Sequence, residues 1–173
     1  MKTLWSKFKN HRGQSIVEIA LITPLLLIAL VIPADFGVAF FVANLTGTAA
    51  REGARIGSEM GKSGGNDDNR NFNATNAAAV RDAVVARLPK YLKNRSVTVK
   101  FYEDTTANCL ETVEVTASGT YNYYFYQILR LFGATVPNNR IISRTTQMPY
   151  LWQPYINATR CTSTSVSPTY NNV

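Results

Sequence analysis

The sequence predicts an α+β protein. A long N-terminal transmembrane helix continues into a small domain in which a second helix packs on an antiparallel sheet of three to four strands. Three observations carry this reading. Residues 19–34 contain no charge, and the apolar character resumes beyond Asp35 as far as Ala43. Ala79, Val80, Ala83, Val84 and Leu88 recur at helical spacing. Val97, Val99 and Phe101 alternate with Thr98 and Lys100, as in a half-buried strand.

Length and charge set the bounds. At 173 residues the chain has room for a membrane segment and one modest domain. The formal charge is +7, but Lys2, Lys7, Lys9 and Arg12 crowd the first 13 positions. Removing those four from 18 basic side chains leaves 14 against 11 acidic, a balance of +3. Most of the basicity is therefore placed to keep the N-terminus in the cytoplasm. A balance of +3 without a concentrated basic face argues against a nucleic-acid partner.

The first element is the apolar segment. Residues 25–32 are apolar all round, whereas a soluble core helix shows a polar face. Glu18 and Asp35 stand 17 positions apart, about 25 Å along a helix, which puts both carboxylates near opposite interfaces of a bilayer core of about 30 Å. Pro24 and Pro33 each remove a backbone donor and free the carbonyls of Ala20 and Ala29. A kinked anchor and a helix that unwinds locally on packing are both compatible with them. A secretory signal peptide would have a shorter apolar core and a small-residue cleavage site after it; no Ala-x-Ala follows this run.

The junction ahead of that segment is the most specific local feature. Gly13-Gln14-Ser15-Ile16-Val17-Glu18 places an acid five residues after a glycine and just inside apolar sequence. It resembles the processing site of type IV pilin-like proteins, where a prepilin peptidase cuts after the glycine. Gly13 and Gln14 then form the scissile bond, and the anchor stays on the product. Cleavage leaves a positive amine on Gln14, one helical turn from Glu18. Pairing of the two, within a chain or with a neighbour, favours one register because an unpaired carboxylate is costly in a low-dielectric bundle. The alternative is a glutamate that reaches to the lipid headgroups.

The helical pattern continues to about Met60. Gly37, Gly47, Gly53 and Gly57 weaken it but permit close helix approach. Arg51 and Arg55 share a face; Glu52 and Glu59 lie within ion-pairing range of Arg55. Gly13, Val17-Glu18-Ile19-Ala20-Leu21, Pro24, Gly37 and the block Ala50-Arg51-Glu52-Gly53-Ala54-Arg55 together resemble a TadE-like minor pilin, or pseudopilin, of the tight-adherence (Flp, type IVb) pilus system. Glu18-Ile19-Ala20-Leu21 departs mildly from the family's Glu-Phe-Ala-Leu. The resemblance implies an inner-membrane prepilin, single-pass, with its C-terminal domain outside the cytoplasm or in the extracellular pilus. It implies as partners a prepilin peptidase, other minor and major pilins, the inner-membrane assembly platform and membrane lipid. It implies a role in assembling thin pili for adhesion and biofilm formation. Glu18 becomes the assembly register residue, and Arg51, Glu52, Gly53 and Arg55 a helix interaction surface.

The remaining elements follow in order. Residues 61–76 are a polar loop. Gly61-Lys62-Ser63 is not a phosphate-binding loop, because position 56 is Ile56 where that motif needs glycine. A helix is predicted from about Asn76 to Leu92, capped by Thr75 or Asn76 and shortened or kinked by Pro89. Strands are predicted around residues 97–101, 112–116 and 140–148, with a bulge or turn at Gly119. Tyr121, Tyr123, Tyr124 and Tyr126 read either as sheet core or as an exposed binding face. Residues 125–132 read alternatively as a short amphipathic helix packing near the membrane. The tail from Trp152 is predicted to be irregular. Cys109 and Cys161 form a disulfide if the domain is exported, closing a loop of about 50 residues worth about 3–4 kcal/mol; otherwise they are two separate thiols.

No catalytic set, cofactor or metal is expected. The single histidine, His11, falls in the segment to be removed, so histidine-based triads and zinc ligation have no candidate. Glu103-Asp104 and Glu111/Glu114 are the acid pairs left, and a catalytic pair needs a cleft at a defined separation. The expected division is a leader at 1–13, the long helix at 14–60, a loop at 61–76, the exported domain at 77–151 and a tail at 152–173. A filament subunit is the first functional expectation; a single-pass anchored surface-binding domain outside any filament is the second.

Overall fold

The computed structural model describes residues 11–60, 74–104, 110–151 and 167–173. In chain order the elements are α1 (His11–Glu59), α2 (Ala74–Arg87), β1 (Leu92–Asp104), β2 (Leu110–Asn122), a 3-10 helix (Tyr126–Phe132), β3 (Asn139–Pro149) and β4 (Thr169–Asn171). The strands form one antiparallel sheet in the order β3-β2-β1-β4. The α+β class stands, with four strands. The chain divides into two compact units: residues up to 38 with residues 123–138, and residues 39–122 with residues 139–173.

The second unit holds the hydrophobic core. Along β2 every other residue turns inward, and Val113, Val115 and Ala117 are fully buried. They pair across the ladder with Phe101, Val99 and Val97 of β1, also fully buried. Burying each such valine is worth about 1.5–3 kcal/mol, so this small stripe supplies much of the unit's cohesion. From α1 come Ala49, Ala50 and Ala54, and from α2 Ala77, Val80 and Val84, all without exposed surface. Two glycines of α1 make the close approach possible. A Cβ on Gly53 would lie 2.3 Å from Val84 Cγ2 and 3.3 Å from Val115 Cγ1, and one on Gly57 would lie 2.8 Å from Val113 Cγ1.

Several sequence expectations are corrected here. α2 ends at Arg87 rather than near Leu92, and Leu92 opens β1 instead. Pro89 cannot donate to a continuing helix, and its carbonyl accepts from the Leu92 amide in a turn. Gly119 lies in the middle of β2, opposite Ile142 of β3, and not at a turn. The irregularity is on the partner strand, between Lys93 and Ser96, where Asn94 adopts φ 46°. Gly119 accommodates that crossing strand: a Cβ there would sit 3.0 Å from Leu92 Cβ and 3.3 Å from the Lys93 carbonyl oxygen. The tyrosine run is not one strand, because β2 stops at Asn122 and Tyr126 begins the 3-10 helix. Part of the tail is regular: Thr169–Asn171 adds as β4 to the edge of β1.

The first unit contains the apolar part of α1 and the excursion between β2 and β3. α1 runs through Pro24 and Pro33 without interruption. The excursion reads as the short helix that was one of the two sequence alternatives for residues 125–132. Gly133 closes it in the left-handed region at φ 81°, its amide bonded to the Arg130 carbonyl.

Candidate functional site

The candidate site is α1 itself. Among the described residues it is the one helix long and apolar enough to cross a membrane. Ile19, Leu21, Leu25, Leu26 and Leu30 are all exposed, and no residue of the most apolar window is buried in the protein. So much uncovered hydrocarbon is unfavourable in water and favourable in a bilayer.

Gly13 and Gln14 fall within the first turns of α1, so the predicted scissile bond is helical in this structure. Glu18 is an exposed side chain one turn further on. Asp35, placed by sequence spacing at the far interface, has a defined partner set that the sequence did not reveal. It is 1% exposed. Its carboxylate accepts three consecutive backbone amides, from Tyr124 at 3.2 Å, Phe125 at 3.0 Å and Tyr126 at 2.7 Å. They lie at and just before the start of the 3-10 helix, and an anionic acceptor there satisfies them and complements the helix dipole. Phe36 packs beside it, with ring centroids 6.1 Å from Tyr123 and 6.0 Å from Tyr126. A partner 89 positions away is not readable from local pattern; the only signal was an acid interrupting an otherwise apolar run.

The Arg51–Arg55 block is split by its own helical geometry. Arg51 and Arg55 are exposed, and Glu52 is half-buried between them. Arg55 bonds Glu52 at 2.9 Å and Glu59 at 2.6 Å. Arg87 of α2 also reaches Glu52, at 2.7 Å. Hydrogen bonds from Arg55 and then Arg87 hold the Glu52 carboxyl down to about 2. Glu52, and after it Glu59, in turn raise the Arg55 guanidinium above its already high range. Gly53 turns the opposite way, into Val80, Val84 and Val115. The surface proposed from sequence thus reduces to Arg51, Glu52 and Arg55, while Gly53 belongs to the packed interior.

The acid pairs do not converge. Glu111 points into the core and Glu114 to the other face of β2, where Gln147 donates to it. Burial, with Glu111 nearby, pushes the Tyr150 hydroxyl above its ordinary range. Glu103 and Asp104 end β1, and their side chains are outside the described residues. Among the described residues no cluster of His, Cys, Asp and Glu forms a metal-binding group. Cys109 and Cys161, and the loop with Gly61-Lys62-Ser63, lie outside the described residues.

These features define a class: a chain with one uncovered apolar N-terminal helix, fit to anchor it in a membrane with a single pass, followed by an α+β domain. The family comparison covers less of the chain. Residues 13–55 match the family model of TadE-like proteins, and over that stretch the chain resembles them. The match opens at Gly13 and closes at Arg55, taking in the junction, the apolar segment and the glycine-bearing turns that meet the sheet. Neither a curated protein nor a solved structure matches the chain.

Proposed function

We propose that this chain is a minor pilin or pseudopilin that takes part in assembling a thin Tad/Flp-type pilus used for adhesion and biofilm formation. It is a structural subunit rather than an enzyme. A prepilin peptidase cuts between Gly13 and Gln14, and the new Gln14 amine pairs with Glu18 at the head of the helix. The helix rests in the inner membrane with the α+β domain outside the cytoplasm. Its partners there are other minor and major pilins and the inner-membrane assembly platform, with Arg51, Glu52 and Arg55 offered outside the membrane segment. The observation that supports this most is the coincidence of three features at one place: the glycine–glutamate spacing, the uncovered apolar helix that follows it, and a family match that begins at residue 13.

Intact mass of the membrane-extracted protein tests the reading. The expected product lacks residues 1–13, and Gly13→Leu blocks that loss because the peptidase reads a residue without a side chain at the cut. Wild-type protein that keeps Met1 overturns the proposal in favour of an uncut, anchored surface-binding domain. So does a Gly13→Leu variant that is still shortened.

A further inference from the structure

The excursion between β2 and β3 leaves the sheet and lies against the apolar part of α1. Phe125 and Leu129 form one wall of a groove of about 310 Å³ whose other wall is Pro24, Leu27, Ile28, Val31 and Ile32. Those five residues all belong to the uncharged run at 19–34. By the rise of an α-helix, Ile28 stands about 10 Å and Pro24 about 16 Å along the axis from Asp35. If α1 spans a bilayer, whatever contacts these residues is at the depth of hydrocarbon.

A segment at that depth has to satisfy its own backbone polar groups, because lipid offers no hydrogen-bond partners. This one does so at both ends. The amides of residues 124–126 are taken by Asp35. The last turn is closed by Gly133 donating to the Arg130 carbonyl and Ala134 to the Leu129 carbonyl. The Tyr123 amide bonds the Asn138 carbonyl, which ties the two limbs of the excursion together. The Gln127 side-chain Nε2 donates to the Tyr123 carbonyl, and Arg130 turns its guanidinium onto the Val136 carbonyl. The side chains fit the same place. Tyr124, 61% exposed, has an aromatic body and a polar edge that favour the headgroup boundary, while Phe125, 47% exposed and wholly apolar, fits the hydrocarbon next to it. Arg130 can keep its charge at that boundary while its stem lies along apolar surface.

We propose that residues 123–132 form a foot of the C-terminal domain that enters the leaflet farther from Gln14, beside α1, with Asp35 as its clasp and lipid acyl chains filling the groove. The occupant is lipid because the α1 wall of the groove belongs to the same turns of helix as the exposed Leu25, Leu26 and Leu30, which only acyl chains cover in a dispersed subunit. This inference rests on the reading of α1 as a membrane anchor. It adds that the anchor has a second, non-spanning element.

Tryptophan quenching by brominated lipid separates the two claims. In full-length protein with Trp5→Phe and Trp152→Phe, single probes are introduced as Leu129→Trp, Phe125→Trp and, on α1, Leu30→Trp. Each is reconstituted in phosphatidylcholine vesicles brominated on the acyl chains, and retention of fold is checked by near-ultraviolet circular dichroism. The expected result is quenching of the Leu129→Trp and Phe125→Trp probes within about twofold of the Leu30→Trp probe, unchanged when the lipid-to-protein ratio is raised tenfold. If only the Leu30→Trp probe is quenched, the foot is overturned while the anchor survives. If none is quenched, the anchor falls and the foot with it. Quenching of the two foot probes that appears only on dilution shows a second copy of the chain in the groove and overturns the lipid assignment.

Discussion

Leu25, Leu26 and Leu30 leave 69, 62 and 71% of their surface uncovered, while Ala49, Ala50 and Ala54, later in the same helix, leave none. The front of α1 is apolar all round and carries large side chains. The back is built from alanine, glycine and threonine on one face and from Arg51, Glu52, Arg55 and Glu59 on the other. Thr46 is buried and satisfies its hydroxyl within the helix, on the Val42 carbonyl. One secondary structure is thus fit for two solvents. Where hydrocarbon is the environment, bulk faces outward and no polar stripe is needed. Where a sheet is the neighbour, small residues admit it and ion pairs face water. The lesson is that side-chain size, more than apolar character, marks which part of a continuous helix meets lipid and which meets protein.

The sharpest test of that contrast is glycine substitution in full-length protein in detergent. Gly53→Leu drives carbon into Val84 and Val115, whose branched side chains have little freedom to yield. A loss of about 3 kcal/mol is expected in urea unfolding followed by near-ultraviolet circular dichroism. Gly57→Ala, whose Cβ would meet Val113, is expected to cost less, about 1 kcal/mol. Gly37→Ala has open space and should be neutral or favourable by up to about 1 kcal/mol from helix propensity. Equal effects at all three positions would break the distinction between front and back.

Asp35→Ala acts locally, on the excursion rather than on the sheet. It removes the acceptor of three amides, and hydrogen bonds to a charged group are worth about 1.5–3 kcal/mol each. Hydrogen exchange at Tyr124, Phe125 and Tyr126 should accelerate by at least about tenfold, with Asp35→Asn intermediate because a neutral amide oxygen accepts more weakly. The β2 amides should stay protected, since they lie in the ladder. Unchanged exchange at residues 124–126 would show that Asp35 does not hold the excursion.

The smallest effect concerns Glu52. Its carboxyl is held down to about 2 from an ordinary 4.5, first by hydrogen bonds from Arg55 and then by those from Arg87. A depressed folded-state pKa contributes stability that is fully present above the unfolded value and is lost as pH falls towards the folded one. The difference in thermal midpoint between wild type and Glu52→Gln should therefore be constant above about pH 5 and shrink between 4.5 and 2. Because these groups are largely solvated, the difference is modest at any pH and is reduced further by salt. A difference that grows as the pH is lowered would contradict the pairing.

The sequence by itself determined the elements whose cause is local. Uncharged, bulky sequence at residues 19–34 makes a membrane-fit helix whatever lies near it. The 3.6 period at Ala79–Leu88 and the two-residue period at Val97–Phe101 and Thr112–Thr116 mark α2, β1 and β2, because each pattern states which side is buried, although at α2 that side is Val80 and Val84, with Leu88 just past its end, and Ala79 is exposed. The family resemblance was likewise legible, since it rests on the order of residues within one stretch. Only the tertiary structure decided what depends on partners distant in sequence. The bulge falls on β1 rather than at Gly119 because Leu92 and Lys93 cross there and claim the space a side chain would need. Gly53 joins the interior because helix phase turns it towards α2 and β2. Asp35 serves as a cap because amides from positions 124–126 arrive at its carboxylate. Short-range periodicity encodes a face; it does not encode what comes to meet that face.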